Sequence, residues 1–320
     1  MKFDPRRRRL SRLLPWCLLA LALVLVASQT KRPDLLIGVW VPWLEVGALA
    51  IVMTPIILTG GIDLSVGSTV ALCGMVQAVL WQNLNWSLPM ALCAALAAGV
   101  SAGALNGLLV VVGLSPLVAT LATMAFYRGL AMTISGADRV TGFPDSFLAF
   151  GELGGLPTQV WFLAALFLSV TIAVHWTRVG RWCFAIGENR LAARFAAVPV
   201  RRVDFWLYTA SGLAAGIVAV LNTMRHNVAI PDVHTGTELQ AIACVVVGGT
   251  LITGGRGGVP RTLLGVAVIS SLDIGLQFLS SRVPLLTAES RLIVIGVLVI
   301  AVAVWGERTE RNGDVGNGGV

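Results

Sequence analysis

The stretch TRVGRWCFAIGENRLAARFAAVPVRRVD, residues 177–204, is the one long polar and basic interruption in a chain that is otherwise nearly continuous apolar segments. Its six arginines (Arg178, Arg181, Arg190, Arg194, Arg201, Arg202) stand against Glu188 and Asp204 alone. Such a stretch belongs in water, on the side of a membrane where basic loops are retained. Within it the spacing predicts a short helix: Glu188 and Asn189 suit its start, Leu191, Phe195 and Val198 recur at i, i+4 and i+7, and Pro199 stops the run. Roughly ten residues at about 1.5 Å each give about 15 Å, half of what a bilayer core requires. The helix cannot span. Tethered between two spans, it either lies on the lipid surface or fits a groove on a soluble partner.

The 320 residues are 56% hydrophobic and 12% charged, with mean hydropathy +0.84, which is too little polar surface to cover a soluble globule. The fold class expected is therefore all-α: a polytopic integral membrane helical bundle. A pI near 9.8 would suit nucleic acid, but the arginines cluster in loops and at the N-terminus instead of alternating with aromatic residues. Membrane topology accounts for them, and no nucleic-acid partner is expected. The five cysteines (Cys17, Cys73, Cys93, Cys183, Cys244) are odd in number and lack C-x-x-C spacing, so they read as small core residues. His175, His226 and His234 lack a ligand-spaced partner cluster, and no metal site is expected.

Residues 1–12 form a basic N-terminal segment before an apolar run at 13–27, read as a first span in preference to a signal peptide. Further spans are centred on 43–59, 66–82, 88–112, 115–134, 160–176, 205–222, 239–253, 262–281 and 292–306, which makes about ten. With both termini in the cytoplasm this arrangement places sixteen basic residues inside and six outside. Residues 13–306 are thus one membrane domain, with 177–204 as its cytoplasmic loop, 135–159 as its longest external loop, and a polar, glycine-rich tail at 307–320 expected to be disordered.

Two glycine-rich breaks, GGIDLSVG at 60–67 and GGTLITGGRGG at 248–258, interrupt apolar runs and predict discontinuous or re-entrant segments, with a tight turn at the membrane surface as the alternative for each, above all for the second with Arg256 beside it. Their likeness, 188 residues apart, hints at an internal repeat with parallel halves. Asp63 and Ser65 in the first break, with Asn106, Asn222 and Gln240 inside spans, are candidates to line a polar solute pathway; glue between helices is the alternative for each. Glu45, Gln77, Arg128 and Asp273 are the other intramembrane polar residues of note, and Arg128 is expected to face the bundle interior or to snorkel. No nucleophile constellation and no catalytic carboxylate pair is present. A P-loop needs a lysine after its glycines, and the only lysines are Lys2 and Lys31, so ATP hydrolysis by this chain is not expected.

GGIDLSVG, NGLLVVVGLSPLVATLATMAFYRGLA at 106–131, GRWCFAIGENRLAARFAAV and ELQAIACVVVGGTLITGGRGG at 238–258 together resemble the permease subunits of ribose-type ABC sugar importers, with branched-chain amino acid permeases as more distant relatives. The resemblance covers about residues 45–280, and after Phe278 the sequence departs from it, with SSRVPLLTAESR in place of a polar and aromatic stretch. It implies a multi-pass protein of a bacterial inner membrane that pairs with a second permease subunit, receives a monosaccharide from a periplasmic binding protein and binds no cofactor itself. ATP is used by a separate cytoplasmic ATPase docked on the central loop. On that resemblance Gly187, Glu188, Asn189, Ala192 and Ala193 match the docking motif, with Arg190 and Arg194 beside them. The rival readings are an ion-coupled secondary transporter using Asp63 and Asp273, a permease for a non-sugar solute such as a branched-chain amino acid or nucleoside, and a membrane-embedded enzyme, for which the residues are lacking.

Overall fold

The computed structural model describes residues 34–280, 290, 293–297 and 300–301. The basic segment 1–12, the expected first span, most of the last one, most of the departure after Phe278 and the tail 307–320 lie outside the described residues.

Helix α1 (Asp34–Leu58) is apolar all round and ends where Gly60 turns left-handed at φ 77°. After the first break, α2 (Val66–Gln82) runs back through the core, with twelve of its residues buried. Next come α3 (Leu88–Val112) and α4 (Pro116–Ser135), each with proline in its first turn and a left-handed glycine, Gly113 or Gly136, at its end. A short strand β1 (Val140–Thr141), a single turn α5 (Asp145–Leu148), a 3-10 turn and the hairpin β2 (Glu152–Leu153) with β3 (Leu156–Pro157) fill the expected external loop. Gly154 and Gly155, both at positive φ, make the hairpin turn.

Helix α6 (Thr158–Trp176) then leads into the polar stretch, which holds α7 (Arg178–Glu188) and α8 (Arg190–Phe195). The long α9 (Val200–His226) follows, then strand β4 (Val228–Ala229), the short α10 (Thr237–Val247), the second break and α11 (Val259–Ser280). Strands β1 and β4 pair antiparallel, with Val140 opposite Ala229, at the end of the bundle away from α7 and α8. The two ends are called here the strand end and the basic end.

Six helices are long and apolar enough to cross a membrane among the described residues: Trp40–Leu58, Leu88–Val112, Pro116–Ser135, Thr158–Trp176, Val200–His226 and Val259–Ser280. The protein is thus a polytopic helical membrane protein. The span expected at 239–253 is corrected: α10 stops at Val247, because the glycines from 248 onward turn the chain, and its eleven residues reach only about 16 Å. α10 is a half-span.

Burial separates core from periphery. Trp40–Leu58 is 89% buried and Thr158–Trp176 only 17%, so α1 lies at the centre and α6 turns most of its apolar surface outward. α3 and α4 also expose Leu108, Leu117, Leu121 and Phe126, an apolar surface suited to lipid or to another membrane subunit. Where helices do meet, small residues bring the backbones together. A β-carbon built on Gly99 would lie 2.4 Å from Gly212 O, and one on Gly103 only 2.3 Å from Tyr208 O, so α3 and α9 touch main chain to main chain. The closeness expected around Asn106 is therefore present, but its glycines face α9 while Asn106 itself reaches α2.

Candidate functional site

Three separate segments converge at the basic end. Leu58 O, the last carbonyl of α1, accepts from Gly255 N at 3.0 Å. A β-carbon built on Gly187, near the end of α7, would fall 2.0 Å from that same Leu58 O and 2.2 Å from Gly255 N. One built on Gly254 would lie 2.8 Å from Gly60 N and 3.0 Å from Gly187 Cα. Both glycine-rich breaks thus contact each other and the central loop through bare backbone. Only glycine fits there.

Next to this junction stands α8, shorter than the sequence suggests. Asn189 is its N-cap, its Oδ1 accepting from Leu191 N at 3.0 Å and Ala192 N at 2.9 Å, whereas Glu188 closes α7 and does not start α8. The helix ends at Phe195, and Ala197, at φ 59°, turns the chain before Val198 and Pro199. Ala193 is buried, while Leu191 is 62% and Phe195 86% exposed. The i, i+4 apolar pair therefore faces away from this chain. Arg190 is turned inward into an ion pair with Asp204 at the start of α9, and Arg194 remains exposed.

A cleft of about 590 Å³ lies among these parts, lined by Thr59 and Gly60, the α3–α4 turn at 113–116, Gly187 to Arg190, Arg194 and Arg201. Under it the amphipathic α7 buries Gly180, Cys183 and Ile186. Burial, with Asp204 nearby, pushes the Cys183 thiol up to about 12. Since the thiolate is the reactive form, Cys183 is expected to resist a water-soluble maleimide until the protein is denatured; mass mapping of labelled peptides checks this.

Deeper in the bundle, Asp63, Ser65 and Asn106 are brought together. Asp63 Oδ1 accepts from Ser65 N at 3.0 Å and Ser65 Oγ at 2.7 Å, Asp63 Oδ2 accepts from Ser211 Oγ at 3.0 Å, and Asn106 Nδ2 donates to Ser65 Oγ at 2.7 Å. Tyr127 OH donates to Ala102 O at 2.8 Å and lies 3.3 Å from Asn106 Oδ1. Every member is buried. These bonds fix the mouth of α2 to α3, α4 and α9 at once.

Asn222 belongs to a second cluster. Its Nδ2 donates to Glu45 Oε2 at 2.9 Å; Gln159 Nε2 lies 3.5 Å from Glu45 Oε1, and His234 Nε2 is 3.2 Å from Glu45 Oε2. Gln240, half-buried on α10, joins neither cluster among the described residues. Gln77 is buried with neither side-chain amide atom hydrogen-bonded among the described residues. Arg128 faces inward, donating to Pro231 O at 3.1 Å and Val233 O at 2.7 Å. Tyr127, Ser211, Gln159 and His234 were not legible beforehand: their partners lie up to 189 positions away and no local spacing marks them.

Comparison with known proteins gives this membrane bundle, with its paired breaks and exposed helical loop, a family. Residues 35–303 match the family described as branched-chain amino acid transport system / permease component, and the chain belongs to that family. Among curated relatives it is 37% identical over 259 residues to the ribose import permease protein RbsC of Escherichia coli strain K12, covering 78% of this chain and 80% of the relative. It is 34% identical over 263 residues to the autoinducer 2 import system permease protein LsrD of Salmonella typhimurium, covering 79% of each. No solved structure matches.

Proposed function

We propose that this chain is the transmembrane permease subunit of an ATP-binding-cassette importer that moves a monosaccharide from a periplasmic binding protein into the cytoplasm. The observation that carries the reading is the junction of Gly187 with Leu58 and Gly255, which places the loop carrying α8 in direct contact with both broken segments. A protein seated on α8 would push on α1 and on the α10–α11 break together. Leu191 and Phe195, exposed outside the membrane spans, supply its apolar anchor, and Arg194 its charge. Gly187, Glu188, Asn189, Ala192 and Ala193 shape the platform, and Arg190 holds it to α9 through Asp204. A helix lying flat on lipid would need no such coupling.

In this reading both ends of the chain lie in the cytoplasm, the half-span α10 completes its crossing through the arm that precedes it, and the chain works beside a second permease subunit in lipid and leaves nucleotide turnover to the ATPase. That two relatives are named for import of ribose and of autoinducer 2 supports a small hydroxylated solute. Reconstitution in proteoliposomes with the ATPase and binding protein is expected to give sugar uptake that requires ATP. Uptake driven by an ion gradient without an ATPase would overturn the reading. Uptake of an amino acid or nucleoside alone would keep the architecture and replace the solute.

The docking surface is tested by charge reversal. Arg194→Glu is expected to cut recovery of the ATPase in co-purification about tenfold while the permease still inserts. Arg190→Glu would also place two acids side by side at Asp204, so Arg194 is the cleaner probe. Undiminished recovery with Arg194→Glu would move the docking site elsewhere.

A further inference from the structure

Residues 230–236 link β4 to the half-span α10 without helix or strand. α10 rises only about 16 Å from the basic end, so this arm descends to roughly the middle of the bundle. Backbone at that depth must find its hydrogen bonds within the protein. Arg128, from α4, satisfies the carbonyls of Pro231 and Val233. On the opposite side His234 performs the second attachment, and its geometry is unusual in three ways.

First, His234 takes φ 58°, a left-handed conformation that a non-glycine residue keeps only when its surroundings enforce it. Second, its side chain is only 8% exposed and its Nε2 lies 3.2 Å from Glu45 Oε2, yet off the line a hydrogen bond requires. A neutral ring gains little from such a contact. Third, the residue ties together several elements. Its Nδ1 is 3.2 Å from Thr237 Oγ1 in the first turn of α10, and a β-carbon built on Gly67 of α2 would lie 2.4 Å from its carbonyl oxygen.

We infer that His234 and Glu45 form a proton-responsive clasp that holds the arm and the half-span α10 against α1 and α2. Neutral His234 leaves a misaligned contact. Protonated His234 makes an ion pair with Glu45 and gains a second N–H for Thr237 Oγ1. The clasp is tight at low pH and relaxes as pH rises. The other groups facing it are accounted for. Asn222 and Gln159 hold the Glu45 carboxylate from α9 and α6, and Arg225 and His226 of α9 lie within its electrostatic reach. Asp232 and Glu238 act on Arg128, across the arm. Of these, His226 is the one other imidazole and needs its own control.

The clasp does not depend on the importer assignment, and its test needs no transport. Hydrogen exchange would be followed by mass spectrometry on peptides covering 230–247, with the full chain in lipid nanodiscs and rates corrected for intrinsic pH dependence. Between about pH 8 and about pH 5 protection is expected to rise about fivefold in the wild type, to stay flat in His234→Gln, and to rise as before in His226→Gln. Should His234→Gln fail to fold, Glu45→Gln carries the test, since it keeps one acceptor oxygen for the amide donors of Asn222 and Gln159 and removes the charge; it too is expected to be flat. A flat wild type, or a pH response that survives either substitution, overturns the clasp.

Discussion

Gly187→Ala is expected to lower ATP-driven uptake by the reconstituted importer at least about tenfold, while membrane insertion continues. The added methyl group would sit 2.0 Å from Leu58 O and 2.2 Å from Gly255 N, and both obstacles are backbone, which cannot swing aside as a side chain can. Overpacking of this kind costs about 1–3 kcal/mol where the surroundings are rigid. The strain is released by separating α7 from the two breaks, and that separation is what uncouples the loop from α1 and α10. Gly129→Ala is the matched control, because nothing lies within 4 Å of a β-carbon there and the position is helical. It is expected to be neutral or slightly stabilising. Uptake by Gly187→Ala within about twofold of wild type would mean the junction yields without functional cost.

The spans were the most legible part of this molecule. Runs such as 66–82 and 88–112 are apolar at almost every position, so their bounds agree with α2 and α3 to the residue, although α2, at 17 residues, is not one of the six helices long enough to cross. Proline at a helix start and glycine just past its end fix α3 and α4 in the same way. α10 misled because Leu251 and Ile252 continue the apolar run past Val247, while Gly248 and Gly249 have already turned the chain. Apolar composition shows that a segment is buried; it does not show that it is straight. α7 was missed for the opposite reason, since its arginines disguise a helix that packs on Gly180, Cys183 and Ile186.

Around the candidate sites, chemistry within a few residues was legible and partners brought in from distant segments were not. Asn189 as a cap, and the two breaks as true interruptions, followed from chemistry within a few residues. The meeting of the breaks with each other is a tertiary fact, visible in sequence only as their shared glycines. Likewise Asp63 and Asn106 stood out as polar residues in apolar surroundings, but Ser211 and Tyr127 are ordinary residues in their own helices. Only the fold makes them partners. The same holds for Glu45, a polar residue in an apolar run, and His234, whose neighbours in sequence offer no ligand-spaced cluster.

Asp63→Ala carries the second large effect, and it separates the two readings of that residue. The substitution leaves the hydroxyls of Ser65 and Ser211 and the amide of Ser65 without their acceptor, all at buried positions. Each buried polar group so abandoned costs about 1–3 kcal/mol, so a total of about 3 kcal/mol is a conservative expectation after relaxation. In detergent the melting temperature should fall by about 5 °C or more, read from the loss of the monodisperse peak on heating. Asp63→Asn keeps a carbonyl oxygen for Ser65, and its NH₂ can donate to Ser211 Oγ once that hydroxyl rotates, so it should recover more than half of the loss. Removing Ser211 as well should cost little further, because a hydroxyl that has lost its acceptor contributes little when deleted. A strut behaves this way. A residue whose main role is to touch the passing solute would instead melt with the wild type and lose uptake alone. The closed set of bonds from Asp63 through Ser65 to Asn106 favours the strut, because each polar atom it uses is already engaged within the protein and holds the mouth of α2 to α3 and α9.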